Sequence, residues 1–184
     1  ALAQLAAEQA IPAVLGILHQ VDDDDDDWIG EDARMVFALI GPATIRPVAE
    51  YLANDAHGLW ARVAAATSLQ HMGVTYPEAR AECVRWLASV LEKYQENEEE
   101  LNGSLIDDLT QLKAIEHIDL IRQAFAAERV DEFVGGDFED VQIELGLIEK
   151  RTHPRRSFFE SLPGKYEDVQ IELGLIEKRT HPRR

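Results

Sequence analysis

The sequence has little cysteine and few cationic residues. A single cysteine, Cys83, cannot form an internal disulfide, which favours a reducing, cytoplasmic location. Eighteen Lys and Arg residues stand against 35 Asp and Glu residues, so the formal net charge is −17. Such an acidic chain repels phosphate backbones and anionic lipid surfaces. We therefore expect neither nucleic acid nor a membrane surface as a partner.

Long apolar runs and common catalytic motifs are also missing. No window reaches the roughly 18 to 20 apolar residues that a membrane span needs. The first ten residues, ALAQLAAEQA, have no basic flank and are interpreted as helix rather than a signal peptide. The sequence contains no glycine-rich phosphate loop and no CxxC or HExxH pattern. Because no residue pair has a spacing that demands catalysis, we predict no enzyme, no catalytic residue, no cofactor and no metal site.

What the sequence does contain is helical periodicity, which predicts an all-α fold. Leu101, Leu105, Leu109 and Leu112, for example, recur at intervals of three and four residues. The predicted helices are Pro12–Gln20, Glu31–Ile40, Ala43–Asn54, Leu59–Met72, Pro77–Gln95, Leu101–Leu112 and Ile115–Glu128, with a break at 134–136. Helix ends near residues 40, 72, 112 and 145 give spacings of 32, 40 and 33 residues. A unit of that length, made of two helices, is typical of a short solenoid of antiparallel helix pairs.

One stretch carries a family resemblance. Pro47, Asp55 and Arg62 follow one another in IGPATIRPVAEYL and LWARVAAATSLQHMG. This order resembles the proline, aspartate and arginine of HEAT repeats, including the short repeats of phycobilisome bilin lyases and bacterial HEAT-repeat proteins. The resemblance implies an α–α superhelix in which Pro47 bends a helix, Asp55 caps a turn and Arg62 links repeats. A bilin lyase-like or chromophore-handling accessory enzyme is the alternative function that it implies.

Six residues are candidates for binding another protein. His57 and Trp60 flank the turn between Asp55 and Arg62, although tryptophan in such a helix is more often part of the core. Asp107, Asp108 and Gln111 are expected on the exposed face of their helix, where the alternative is ordinary solvation. Arg62 completes the set. Cys83 lies on an apolar stripe and is interpreted as a small buried hydrophobe.

The run Asp22–Asp27 brings six carboxylates together. A calcium loop would need alternating ligand spacing, a glycine and usually a bidentate glutamate, and the run has none of these. We therefore interpret it as a solvated acidic loop. A calcium-sensing role is the alternative.

The most unusual feature is a duplication. Residues 139–156 and 167–184 both read EDVQIELGLIEKRTHPRR. We predict a HEAT-like domain over residues 1–148, a basic segment and spacer over 149–166, and a tail over 167–184. Alternating Val141, Ile143 and Leu145 would suit a strand, but the context favours a short helix over Asp140–Leu147 that caps the last repeat and ends at Gly146. The second copy then hangs free, competes for the same position, or docks on another molecule.

The charge distribution suggests the kind of partner. Residues 139–184 hold nine acids and nine bases, so the first 138 residues hold 26 acids and nine bases and carry the whole −17. We predict a non-catalytic protein-binding scaffold whose acidic body attracts a protein with a basic or mixed surface. Self-association through Glu167–Arg184 is the second expected contact.

Overall fold

The computed structural model describes residues 7–23 and 27–154, and the side chains of residues 23–29 are outside that description. The described residues form helices and no strand, which confirms the all-α prediction. The helices are α1 Ile11–Ile17, α2 Gln20–Asp23, α3 Asp27–Ile40, α4 Ile45–Ala53, α5 Leu59–Thr75, α6 Arg80–Leu91, α7 Glu99–Gln111, α8 Ile118–Ala126, α9 Glu132–Gly135 and α10 Phe138–Glu144. The chain divides into two compact units, Ala1–Arg151 and Thr152–Arg184. The ten helices given above all belong to the first unit.

Three of these helices begin with a 3₁₀ turn. Pro42–Thr44, Pro77–Ala79 and Ile115–His117 lead directly into α4, α6 and α8. Proline suits the first position because its ring fixes φ near the helical value and its missing N–H would have no partner there. Pro47 lies in the first turn of α4 itself, where proline removes no helical hydrogen bond, so it need not bend this helix.

Helix α5 is the centre of the fold and packs on α3, α4, α6 and α7. Its alanines at positions 61, 64, 65 and 66 are all buried, which lets the neighbouring helices approach closely on several sides. The predicted end of this helix was Met72. The helix instead continues to Thr75, and a Cβ at Gly73 would lie 2.7 Å from Leu112 Cδ2. Glycine is therefore needed at this position for close packing, while the helix ends two residues later.

Buried amides fix the connection between α6 and α7. Asn97 Nδ2 donates to the carbonyl oxygen of Val90 at 3.0 Å and to Asn102 Oδ1 at 3.0 Å. Asn102 Nδ2 in turn donates to the carbonyl oxygens of Tyr94 at 2.8 Å and Arg129 at 2.7 Å. Both asparagines are almost fully buried, so these bonds satisfy polar groups that would otherwise be costly in the core.

Helix α10 lies at the start of the first copy of the duplicated segment, which the structure describes as far as Pro154. Asp137 and Asp140 form a capping box at its start. Val141 is 1% exposed and belongs to the main core. At the end, Gly146 has φ +73°, and the N–H groups of Gly146 and Leu147 donate to the carbonyl oxygens of Ile143 and Gln142. This pair of bonds is a Schellman motif, so the predicted short helix ending at Gly146 is confirmed and the strand alternative is wrong.

None of the helices in the described part of the chain is both long enough and apolar enough to cross a bilayer.

Candidate functional site

A cavity of about 430 Å³ opens beside α3 and α5. Val21, Val63 and Ala64 give it apolar walls, and the polar lining residues are Glu31, Arg34 and Thr67. Gly30 and Trp60 complete the lining. A Cβ at Gly30 would already lie 3.4 Å from the Ala64 Cβ, so the two helices approach closely beside the cavity. Its volume falls within the range of small-ligand sites, about 300 to 1,000 Å³.

Arg34 is the unusual member of this lining. Its Nε is buried and has no hydrogen-bond partner. Among the arginines between residues 27 and 154, which the structure describes, Arg34 alone has no carboxylate within 4.0 Å. The others each form an ion pair: Arg46, Arg62, Arg80, Arg85, Arg122, Arg129 and Arg151. In a chain with almost two acids for every base, an unpaired arginine beside a cavity is unexpected.

Asp108 is a buried acid that interacts electrostatically with Arg34. Only 2% of the residue is exposed, and its Oδ2 has no hydrogen-bond partner. Burial raises the pKa of Asp108 well above its usual range, and the negative charge of Asp107 raises it further. The positive charge of Arg34 acts in the opposite direction, although no ion pair joins the two side chains. Asp108 therefore retains its proton more readily than an ordinary aspartate and compensates Arg34 only in part.

The prediction that Asp108 lies on an exposed face is wrong. Asp108 follows Leu105 by three residues and precedes Leu112 by four, so it shares the buried face of α7 with that apolar stripe. Gln111 is exposed, as expected, whereas Asp107 is partly buried. Helix α9 packs on this part of α7, and a Cβ added at Gly135 would lie 3.3 Å from the Asp107 Cβ. The sequence indicated only a break at residues 134–136, so the packing of α9 over Asp107 was not predicted.

A chain of side-chain hydrogen bonds joins α5 to α7. Gln70 Nε2 donates to Gln111 Oε1 at 3.0 Å, and Gln111 Nε2 donates to Asp107 Oδ2 at 2.6 Å. Burial raises the pKa of Asp107, the bond from Gln111 lowers it, and Glu144 raises it. Asp107 and Gln111 are thus brought together as predicted, but part of their bonding capacity is used inside the protein.

The predicted repeat motif has a mainly structural geometry. Arg62 is 5% exposed; its Nε donates to the Leu52 carbonyl oxygen at 3.0 Å and its Nη1 lies 3.5 Å from Glu98 Oε2. It thereby connects the end of α4 with the residue preceding α7. His57 stacks on the Tyr51 ring with centroids 3.7 Å apart. Trp60 differs, because 47% of it is exposed, so it does not belong to the core.

The first turn of α5 is capped by Asp22 rather than by Asp55. Asp22 Oδ1 accepts from the Trp60 N–H at 2.8 Å, and Oδ2 accepts from the Ala61 N–H at 3.2 Å. At least this member of the acidic run is therefore a helix cap and not a solvated residue. Asp24–Asp26 and the side chains of Asp23 and Asp27 lie outside the described residues.

A family model described as "Protein of unknown function (DUF1186)" matches residues 1–155. The chain belongs to the DUF1186 family. No curated protein and no solved structure matches it. The DUF1186 match includes every described helix and most of the first copy of the duplicated segment, and it ends before the second copy. It carries no repeat assignment, so the HEAT-like resemblance stays a prediction.

Two further features limit the chemistry of this DUF1186 chain. Cys83 is buried, and burial raises its thiol pKa to about 11, so the sulfur remains a neutral thiol at physiological pH. Within residues 7–23 and 27–154, no group of three or more His, Cys, Asp or Glu side chains is arranged to hold a metal ion. Sequence reasoning found Trp60 and missed the other lining residues, which are Val21, Gly30, Glu31, Arg34, Val63, Ala64 and Thr67. Helical spacing places Arg34 one turn from Glu31, but no local pattern indicates that Arg34 would lack a partner.

Proposed function

We propose that the chain is a non-catalytic scaffold of HEAT-like helix pairs that binds another protein beside α3 and α5. The observation that carries this proposal is Trp60, which is 47% exposed and lines the cavity next to Arg34. Tryptophan and arginine are enriched among the residues that dominate protein–protein binding energies, and they act best when they fill pockets.

The packing supports a stack of pairs. Helix α5 contacts both α3 and α7, and α4 contacts α6, so helices two positions apart in the chain lie side by side. The pairs α4–α5 and α6–α7 also pack internally. This is the contact pattern expected when each helix pair packs on the preceding pair.

The outer side of α3 supplies apolar area for the same partner. Met35, Val36 and Leu39 are 57%, 37% and 84% exposed, and their spacing places them on one side of the helix. Residues of this kind contribute to binding when a partner covers them. The excess of acids in the first 138 residues would steer a partner with a basic or mixed surface toward this region.

The duplicated tail belongs to the proposal as a second docking element, in cis or in trans. The two copies differ just before their identical part, since Asp137 and Phe138 correspond to Lys165 and Tyr166. Asp137 accepts from the Asp140 N–H at 3.1 Å and from Arg151 Nη1 at 3.0 Å. Lysine can make neither contact, because its ammonium is a donor only. The first copy is therefore the better occupant of the α10 position, and we propose that the second copy engages another chain.

A capture experiment with matched variants tests the scaffold. The full chain, Trp60→Ala and Ile115→Ala would be used as baits in a lysate of the source cells, and recovered proteins would be quantified. Ile115 is 47% exposed on another element, which makes it the control for a lost apolar side chain. We expect a protein whose recovery falls at least tenfold with Trp60→Ala alone. That protein, once purified, must bind the full chain with the same dependence on Trp60, and equal recovery with all three baits would contradict the proposal.

A further inference from the structure

We infer that the cavity beside α3 and α5 is a site for an organic carboxylate with an apolar body, and that Arg34 binds the carboxylate group. This inference deepens the proposed function by naming the chemistry that the cavity accepts. It rests on that function only because both use the same cavity and Trp60. The carboxylate belongs either to a free small molecule or to the C-terminus of a peptide.

The first argument is the missing partner of Arg34. A guanidinium presents five N–H donors in a fixed fork that matches a carboxylate. The buried Nε of Arg34 has no acceptor, although a buried charged donor without one is costly. The seven other arginines described between residues 27 and 154 each form an ion pair with a carboxylate of the protein. A ligand carboxylate would pair with the guanidinium where Arg34 lines the cavity, and it would offset a positive charge that the fold leaves without a carboxylate.

The second argument is the position of the side chain. Arg34 belongs to the lining of the cavity, together with Val21, Val63 and Trp60. These three side chains offer an apolar surface to the rest of a ligand whose carboxylate faces Arg34. Ligand sites commonly combine mostly apolar walls with a few polar groups that fix orientation. The volume of about 430 Å³ accommodates an aromatic acid or one terminal residue of a peptide.

The third argument concerns the other charges around the cavity. Glu31 is the carboxylate in the lining, but it is exposed, and solvent and salt weaken its repulsion of an anion. Asp108 is not part of the lining and is 2% exposed; its burial favours the neutral form, so it offsets the charge of Arg34 only partly. A cationic ligand would have to approach Arg34, whose charge repels it at short range in a partly desolvated place. The balance favours an anion despite the acidity of the whole chain.

Matched small probes test the inference. The probes are 3-phenylpropionate, its neutral amide, phenethylamine and N-acetyl-L-phenylalanine, each titrated into the full chain. The readout is the ¹⁵N–¹H signal of the Arg34 Nε–H, identified by its loss in Arg34→Lys. We expect the two acids to shift this signal in a saturable way and the amide and the amine to leave it unchanged. Tighter binding of the acetylated amino acid indicates a peptide terminus as the source, and tighter binding of phenylpropionate indicates a free acid.

Variants separate binding from folding. Arg34→Met should weaken binding of the acids at least tenfold, whereas Arg46→Met, which removes an exposed arginine already paired with Glu50, should leave it unchanged. If Arg34→Met does not fold, Arg34→Lys keeps the charge and must still bind the acids more weakly than the original chain. Equal binding of the amide, preferred binding of the amine, or no saturable shift would overturn the inference. A captured protein that needs Trp60, together with no saturable binding of the acids, would overturn this inference alone, and acid binding without any captured protein would overturn the scaffold alone.

Discussion

The carboxylate of Asp22 accepts a hydrogen bond from the Trp60 backbone N–H at 2.8 Å, across 38 positions of sequence. Helix α5 starts after Gly58, which has no side chain to cap it, so the cap comes from α2. A Cβ at Gly58 would lie 2.3 Å from Asp22 Oδ2, and glycine therefore makes room for this distant cap. Because the bonded N–H belongs to Trp60, the same contact holds the start of the helix at the edge of the cavity.

Loss of this cap should destabilise the fold. We expect Asp22→Ala to lower the free energy of unfolding by about 1 kcal/mol, the usual contribution of a side-chain cap. Asp22→Asn should lose less, because an amide oxygen can still accept one of the two bonds. Urea unfolding followed by circular dichroism measures both. Asp55→Ala is the matched control, and a larger loss there than at Asp22 would show that the cap has been assigned to the wrong residue.

Arg62 should contribute more to stability than a surface ion pair. We expect Arg62→Met to lower the free energy of unfolding by about 2 to 3 kcal/mol, since it removes a charged donor from the buried Leu52 carbonyl. Glu98→Gln should cost less than about 1 kcal/mol, because the glutamate side chain is 52% exposed and solvent screens the pair. Chemical denaturation of the two variants separates these contributions. Equal losses would mean that the ion pair, and not the carbonyl contact, is what matters.

Two glycines should respond to alanine in opposite directions. A Cβ at Gly103 would lie 2.7 Å from the Asp131 carbonyl oxygen, and backbone cannot easily move away. Gly103→Ala should therefore lower the melting temperature by separating α7 from the segment that leads into α9. Gly16→Ala has nothing within 4 Å and should raise stability by about 0.5 to 1 kcal/mol through helix propensity alone. Thermal unfolding measures both variants, and melting temperatures that moved in the same direction would contradict this account.

Asp108 should make stability depend on pH in an unusual direction. Burial raises its pKa in the folded protein above the unfolded value of about 3.9. The folded state then holds the proton in a pH range where the unfolded state has released it, so this group destabilises the fold as pH rises above about 4, until its folded pKa is passed. Asp108→Asn should remove this part of the slope and raise stability at neutral pH. Unfolding free energies measured from pH 4 to 8 would refute the assignment if the variant and the original chain had parallel profiles.

Substitution of Asp137 should make the second copy of the duplicated segment dock on another chain. Asp137→Lys gives the first copy the residue that stands at the corresponding position ahead of the second copy, Lys165. The change removes the bonds with Arg151 and makes the two copies more equal competitors. We expect this variant of the full chain to gain mass with concentration in light scattering. A version ending at Arg156 with the same substitution is the control and should not gain mass. Identical masses for the two versions over a wide concentration range would rule out docking in trans.

Local patterns in the sequence were enough to predict most helices. The stripe from Leu101 to Leu112 identified α7, and Pro42 and Pro77 precede α4 and α6 because proline tolerates the first helical turn. The short α9 was missed, because a glycine pair normally ends a helix and nothing local shows that residues 132–135 pack on α7. Asp108 was placed on the wrong side of its helix even though its spacing from Leu105 and Leu112 indicated burial. Aspartate is usually exposed, and that preference was given more weight than the periodicity.

The sequence by itself determined the helical class, the approximate helix positions and the short capped helix that begins the duplicated segment, because hydrophobic period, capping residues and glycine act over one or two turns. The tertiary structure decided which charges meet. In the folded chain Asp22 caps the start of α5 and Arg62 donates to the end of α4. Arg34 lines the cavity and has no carboxylate partner. Such pairings join residues far apart in the chain, and side-chain reach and burial determine them only after the helices have packed.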